Sequence, residues 1–329
     1  MKLRTPIATL QPDRKINLTA PILTIGSCFS DSIGQKLIDN KFDAFVNPFG
    51  TLFDPLSITR ILSYSLSNQL PAANTYVQSE GVYKNLELHS SFTGLSKDEL
   101  QLKINAQLTT TNDFLRTTKW LMVTLGTAFA YQLNDTEQFI ANCQKLPAKN
   151  FTKKLKSVEE LKHDFMNFIE LLLAANPSIN IMLTVSPVRH LKDGIAENSI
   201  SKAVLRLLCY ELEMQNESVY YYPAYEIMMD DLRDYRFYNE DMIHPSNQAI
   251  EYIWHHFSNS FFNTKTLYFL EIWKKIQNSI NHRAYNPTTK KHQQFLKKTL
   301  QALINIKDTV NVEKEIARIK EQILPSAQA

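Results

Sequence analysis

The chain has 329 residues, 44% hydrophobic and 21% charged, with a formal net charge of +3; this is a globular composition, long enough for one large domain with an extension or for two domains, and it excludes wholesale disorder. No apolar run approaches the roughly 18 residues that a membrane span needs, and residues 1–21 lack an apolar core of signal-peptide length, so a cytoplasmic protein is expected. Cys28, Cys143 and Cys209 are odd in number, far apart and outside any C-x-x-C pair, and the eight histidines form no H-E-x-x-H pattern, so neither a disulfide framework nor a metal site is expected.

Short apolar runs alternate with helical patterns through the first 260 residues. A strand at 22–25 leads into a helix at 32–40, and a strand at 44–46 into a helix at 55–67 with Asp54 as its N-cap. Residues 69–111, which contain NLELHSSFTGLS, read as an irregular insertion or lid. A strand follows at 121–125, then a helix at 157–175 that opens with Ser157 and Glu160 at capping-box spacing. Strands at 179–185 and 219–222 flank a helix at 198–217. The last helix of this series, 246–257, starts behind Pro245, a residue that a first helical turn tolerates. Such alternation predicts an α/β fold with a mostly parallel five-stranded sheet, right-handed crossovers and a site outside the carboxyl ends of the strands.

From residue 261 onward the pattern is of amphipathic helices alone, with NPTTKK (286–291) as a turn. The expected division is therefore 1–260 and a C-terminal extension, 261–329. That extension carries 12 Lys+Arg and 5 Asp+Glu, against 24 and 28 in the remainder. A solvated helical face and a contact for an acidic protein partner are both compatible with it. Nucleic acid is not expected, because few aromatic residues are interleaved with the basic ones.

Only seven glycines occur, and Gly26, Gly50 and Gly126 each follow a predicted strand. They therefore share the carboxyl edge, where glycine allows tight turns and close approach of a ligand to main-chain N–H groups. Ser27 stands at the end of the first strand, before a helix whose free N–H groups favour an oxyanion; alone it would read as an N-cap. In YNEDMIHPSNQAI, Asp241 can fold back onto His244 three residues later, fixing the imidazole tautomer and leaving the other ring nitrogen for a serine. Cys28 cannot face the same base as its neighbour and reads as a small apolar residue.

IGSCFS together with DMIHPS resembles the GSCFA family, a branch of the SGNH/GDSL-type hydrolase superfamily. The resemblance extends through NPFGTLFDP, TLGTAFAY, TVSPVRH, SKAVL and YYPAYEIMMDDLRDYRFY; Ser30 takes the place of the final alanine of the eponymous motif. It implies a flavodoxin-like three-layer α/β/α fold with Ser27 as nucleophile, His244 as general base and Asp241 as its orienting partner. For the oxyanion hole it implies the N–H groups of Ser27 and Gly50. The superfamily's third donor, an asparagine side chain, is replaced by Ala128, a loss that typically lowers rate by about 10²–10³. Asn47 is the substitute expected here, with Thr127 and His89 as further polar candidates. Arg189 and His190 follow the fourth strand and either contact an acidic substrate group or, for Arg189, pair with a carboxylate of DDLRD.

Three functions follow from this reading: a serine hydrolase acting on a small ester such as an O-acylated carbohydrate, an acyltransferase using the same residues with 69–111 as lid, and a weakly active or inactive binding or scaffold protein that uses the basic tail. The first two need no metal and no organic cofactor.

Overall fold

The computed structural model describes residues 5–324. In chain order its elements are β1 (Ile22–Gly26), α1 (Cys28–Asp39), β2 (Ala44–Val46), α2 (Pro55–Ser67), β3 (Tyr76–Ser79), β4 (Val82–Asn85), β5 (Thr93–Gly94), α3 (Lys97–Thr117), β6 (Trp120–Leu125), β7 (Phe129–Leu133), β8 (Phe139–Ile140), β9 (Phe151–Leu155), α4 (Val158–Ala175), β10 (Asn180–Val185), α5 (Ile195–Gln215), β11 (Val219–Tyr221), the single turn α6 (Ala224–Glu226), α7 (Asn247–Phe261), α8 (Thr264–Asn281), α9 (Lys290–Ile306) and α10 (Glu313–Gln322). Among the described residues no helix is long and apolar enough to cross a membrane.

β1, β6 and β10 are buried at every position, as strands covered on both faces must be. They form the centre of a five-stranded sheet of order β11-β10-β6-β1-β2, all of it parallel and in register through Ile22↔Trp120 and Asn180↔Trp120. Side chains alternate across the pleat. Leu23, Ile25, Leu121, Val123, Ile181 and Leu183 therefore enter a core under α2–α5, whereas Ile22, Trp120, Met122 and Met182 enter a second core under α1 and α7. This is the three-layer α/β/α fold expected, with all five strands in their places.

The helices after residue 261 extend the second core: Phe269, Trp273, Ile276, Leu296, Leu303 and Ile319 are buried in it. Trp273 Nε1 donates to Asp39 O at 2.7 Å, satisfying a carbonyl at the end of α1, and Lys41 pairs with Glu315 at 2.6 Å. Lys274, Lys275, Lys297 and Lys298 lie on the exposed side of α8 and α9.

Two local expectations are corrected, and one sheet is added to them. The segment 69–111 is ordered: β3, β4 and β5 form a small antiparallel sheet, and α3 begins at Lys97 under an N-cap from Ser96 to Glu99 N–H. A second antiparallel sheet, β8-β7-β9, intervenes between β6 and α4. Its outer strand FTKKL is half solvated, so no apolar run announces it. Helix α1 starts at Cys28, four residues before its predicted start, because Ser27 itself caps it.

Gly26 makes that early start possible. Its φ is +137°, and a Cβ there would lie 2.1 Å from Thr124 O, a backbone atom that cannot yield. Gly26→Ala is expected to lower stability by more than about 4 kcal/mol. Gly81→Ala, also at positive φ but with nothing within 4 Å, should cost about 1 kcal/mol. Urea unfolding midpoints of the two variants measure the difference; equal midpoints would contradict the geometry.

Candidate active site

The carboxyl edge of the sheet collects the ends of β1, β6 and β10. Ser27 leaves β1 in extended conformation and caps α1. Its hydroxyl, 1% exposed with the rest of the residue, accepts weakly from Phe29 N–H at 3.4 Å and donates to Ser186 Oγ at 2.9 Å. Its own N–H donates to Thr124 O at 3.1 Å. In the β2–α2 loop, Gly50 N–H donates to Asn47 O at 2.8 Å. The two main-chain donors expected for an oxyanion are thus both turned to carbonyls of the fold, because the tight turns off β1 and β2 use them.

Asn47 holds the site together. Its φ is +40°, a conformation asparagine tolerates. Its Oδ1 accepts Gly26 N–H at 2.8 Å and its Nδ2 donates to Asp31 Oδ1 at 2.6 Å. That leaves one amide proton without an acceptor among the described residues. Burial pushes the Asp31 carboxyl up, and the bond from Asn47 opposes it. His89 packs its ring onto Gly50, where a Cβ would approach within 2.6 Å, and its Nδ1 lies 3.0 Å from Ser91 Oγ.

The second half of the site is built within one loop. Asp241 Oδ1 accepts the N–H groups of Ile243 and His244, each at 2.9 Å, while Oδ2 lies 2.7 Å from His244 Nδ1. The turn is closed by Met242 at φ +57° and by Asn239 N–H to His244 O at 2.8 Å. Ser246 then caps α7. The bonds to the His244 N–H, the Ile243 N–H and the His244 ring pull the Asp241 carboxyl down to about 2, so it is ionised at neutral pH. Among the described residues His244 Nε2 has no partner, and no hydrogen bond joins Ser27 to His244.

Sequence reasoning did not single out two residues at this edge, one bonded to Ser27 and the other bonded to that partner. One is Ser186, at the end of β10. The other is Lys202 of α5, whose Nζ is fully buried and donates to Gly126 O at 2.7 Å and Ser186 O at 2.8 Å, tying β6 to β10. No carboxylate pairs with it among the described residues, and burial pushes its amine down to about 7. A lysine on the helix face shared by Asn198, Ser201 and Leu205 was the available signal.

The remaining candidates are placed as follows. Ala128 is buried, and its N–H and the Thr127 hydroxyl both meet Ser201 Oγ, at 2.7 and 3.1 Å. His190 is pushed down to about 4, by burial first and by Lys202 second, and it packs edge-on against Phe53. Arg189 stacks 4.9 Å from the Tyr238 ring. Among the described residues it makes no ion pair with DDLRD: Asp230 takes Arg233 at 2.9 Å, Asp231 accepts the Tyr252 hydroxyl and Asp234 the Arg236 N–H. Burial and Asp31 push the Cys28 thiol up, which keeps it protonated and a poor nucleophile. Among the described residues no group of three His, Cys, Asp or Glu side chains is arranged to hold a metal ion.

The fold defines the class, a doubly wound α/β protein with Ser27, Ser186 and the Lys202 amine at the carboxyl edge of a parallel sheet. The GSCFA family model matches residues 21–257, and that of the GSCFA domain protein, C-terminal domain, matches 273–325; the chain belongs to the GSCFA family. No curated protein matches it. Among solved structures the chain is similar to a carbohydrate esterase family 3 protein from Talaromyces cellulolyticus, at 9% identity and a TM-score of 0.35 over 77% of this chain and 99% of that one. It is also similar to the acetyl xylan esterase Est2A from the rumen bacterium Butyrivibrio proteoclasticus, at 11% identity and a TM-score of 0.34 over 74% and 64%.

Proposed function

We propose that this protein is a serine hydrolase that cleaves the acyl ester of a small molecule, such as an O-acylated carbohydrate or another small ester. Ser27 Oγ attacks the carbonyl carbon while His244 Nε2 takes its proton, and the protonated imidazole gives that proton to the departing alcohol. A water molecule, deprotonated by the same nitrogen, then releases the acid from Ser27. The observation that carries this reading is the Asp241–His244 bond of 2.7 Å, which fixes the tautomer and leaves Nε2 available. Ser27 must exchange its bond to Ser186 for one to His244 during the reaction; catalytic hydrogen bonds are often long or absent in ligand-free enzymes. In the same exchange the spare amide proton of Asn47 serves the oxyanion.

A second reading, a binding protein with a weakened site, is favoured by the committed N–H groups of Ser27 and Gly50. A fluorophosphonate probe decides between the two. The expected result is a single adduct on Ser27 in native protein and none after heat denaturation, located by peptide mass spectrometry. Absence of an adduct, under conditions where a known serine hydrolase reacts, would favour the binding reading.

A further inference from the structure

A cavity of about 140 Å³ lies between the segment after β10 and the wide turn Ile227–Asp231 that follows α6. Its lining includes Met228, Met229 and Leu232, of which Met229 is half-buried and the other two are buried; Tyr235, Tyr238 and Arg189 line it as well. The cavity is joined to the candidate catalytic groups on two sides. Arg189 is three residues beyond Ser186, the partner of Ser27. Tyr238 is bridged to Pro245, the residue after His244, and the N–H of the next residue, Asn239, donates to His244 O.

The charges of this cavity do not cancel. Arg233, which also lines it, is neutralised by Asp230 at 2.9 Å. Asp234 accepts the Arg236 N–H at 2.9 Å and lies 3.8 Å from Arg236 Nε. Arg189 alone is left with an aromatic ring on one face and no carboxylate among the described residues. A guanidinium oriented by a ring and lacking an anion suits a bidentate oxyanion, carboxylate above all. The volume suits a short stem: cavities of about 150 Å³ hold a benzene-sized group, roughly six non-hydrogen atoms.

We propose that this cavity is a substrate subsite for a carboxylate on a short apolar stem, with the carboxylate on Arg189 and the stem against Met229 and the tyrosine rings. The proposal rests on the hydrolase reading and specifies its substrate class, an ester that carries an anion a few bonds from the scissile carbonyl. The anion belongs to either the acyl half or the alcohol half, and the assay separates the two.

The test compares kcat/KM for 4-nitrophenyl hemiglutarate with that for neutral 4-nitrophenyl pentanoate, and for acetylated glycolate with that for acetylated ethanol, in wild type, Arg189→Gln and Arg189→Lys. The expected result is a preference for the anionic member of one pair, reduced about 10- to 100-fold in Arg189→Gln and partly retained in Arg189→Lys. Equal rates within both pairs, in a protein whose Ser27 takes the fluorophosphonate label, would overturn the subsite and leave the hydrolase reading intact. A protein that neither labels nor turns over is tested by calorimetric titration with butyrate and butanamide. Binding of butyrate alone, lost in Arg189→Gln, supports an anion site without the hydrolase; binding of neither overturns it. Thermal melting of each variant separates loss of the subsite from loss of the fold.

Discussion

Replacing His244 by alanine is expected to slow fluorophosphonate labelling of Ser27 by about 10²–10⁴-fold, the range contributed by a positioned general base. Ser27→Ala should abolish labelling, since neither Cys28 nor Ser186 is activated: the Cys28 thiol is held protonated by burial and by Asp31, and Ser186 Oγ serves as acceptor to Ser27 and to Val188 N–H. Asp241→Asn should act through His244. The amide can present a donor to Nδ1, which reverses the tautomer and removes the proton acceptor at Nε2. Its loss should therefore approach that of His244→Ala, although the residue touches no substrate. The measurement is the second-order rate of adduct formation on each variant. Labelling of His244→Ala at the wild-type rate would remove His244 from the mechanism and redirect attention to the other polar groups of the edge, Lys202 and His89.

The second large effect concerns Lys202, and it is an effect on stability as a function of pH. Burial lowers its amine from the ordinary lysine value of 10.5 to about 7 in the folded protein. Above 10.5 the amine is neutral whether the chain is folded or not, and burial carries no ionisation penalty. As pH falls from 10.5 towards 7 the unfolded chain takes up a proton that the folded chain does not, so stability decreases; below 7 both states are protonated and the penalty is constant. Wild type should therefore gain stability relative to Lys202→Met between pH 7 and 10.5, by on the order of 5 kcal/mol. Taking the difference between the two proteins cancels the titration of groups common to both. The groups facing Lys202 are the exception: Cys28 of α1 and His190 of the loop after β10 feel its charge, and the Tyr225 ring of α6 lies 5.9 Å from Nζ, so the difference also carries their response to the loss of that charge. Urea denaturation of both proteins at several pH values supplies the curve. A constant difference would mean that Lys202 stays protonated in the fold, held by the Gly126 and Ser186 carbonyls.

What the sequence by itself determined is whatever depends on near neighbours in the chain. The buried strands were legible because a strand covered on both faces must be apolar throughout, as β1, β6 and β10 are. Helix starts at Asp54 and Ser157 were legible because a cap bonds an N–H three residues away. For the same reason the Asp241–His244 pair could be read from a spacing of three, and the turn at Gly26 from one glycine before a serine. The half-solvated strands of the two small sheets were not legible, since their stability comes from ladder partners such as Phe129↔Leu155, not from an apolar run.

Only the tertiary structure decided how distant residues meet at the sheet edge. Ser27 and Ser186 stand 159 positions apart and touch because β1 and β10 flank β6. Lys202 reaches that junction from the buried face of α5; its place beside Asn198, Ser201 and Leu205 marked it as inward, but the carbonyls it meets were set by the ends of β6 and β10. Arg189 was readable as a charge at the end of a strand. Whether it pairs with DDLRD or faces an open cavity depended on the wide turn at Ile227–Asp231, which sends Asp230 to Arg233 instead. Strand order and the course of a loop are set by packing the whole chain, and that is why the partners of Ser27 and of Arg189 could be assigned only after the fold was complete.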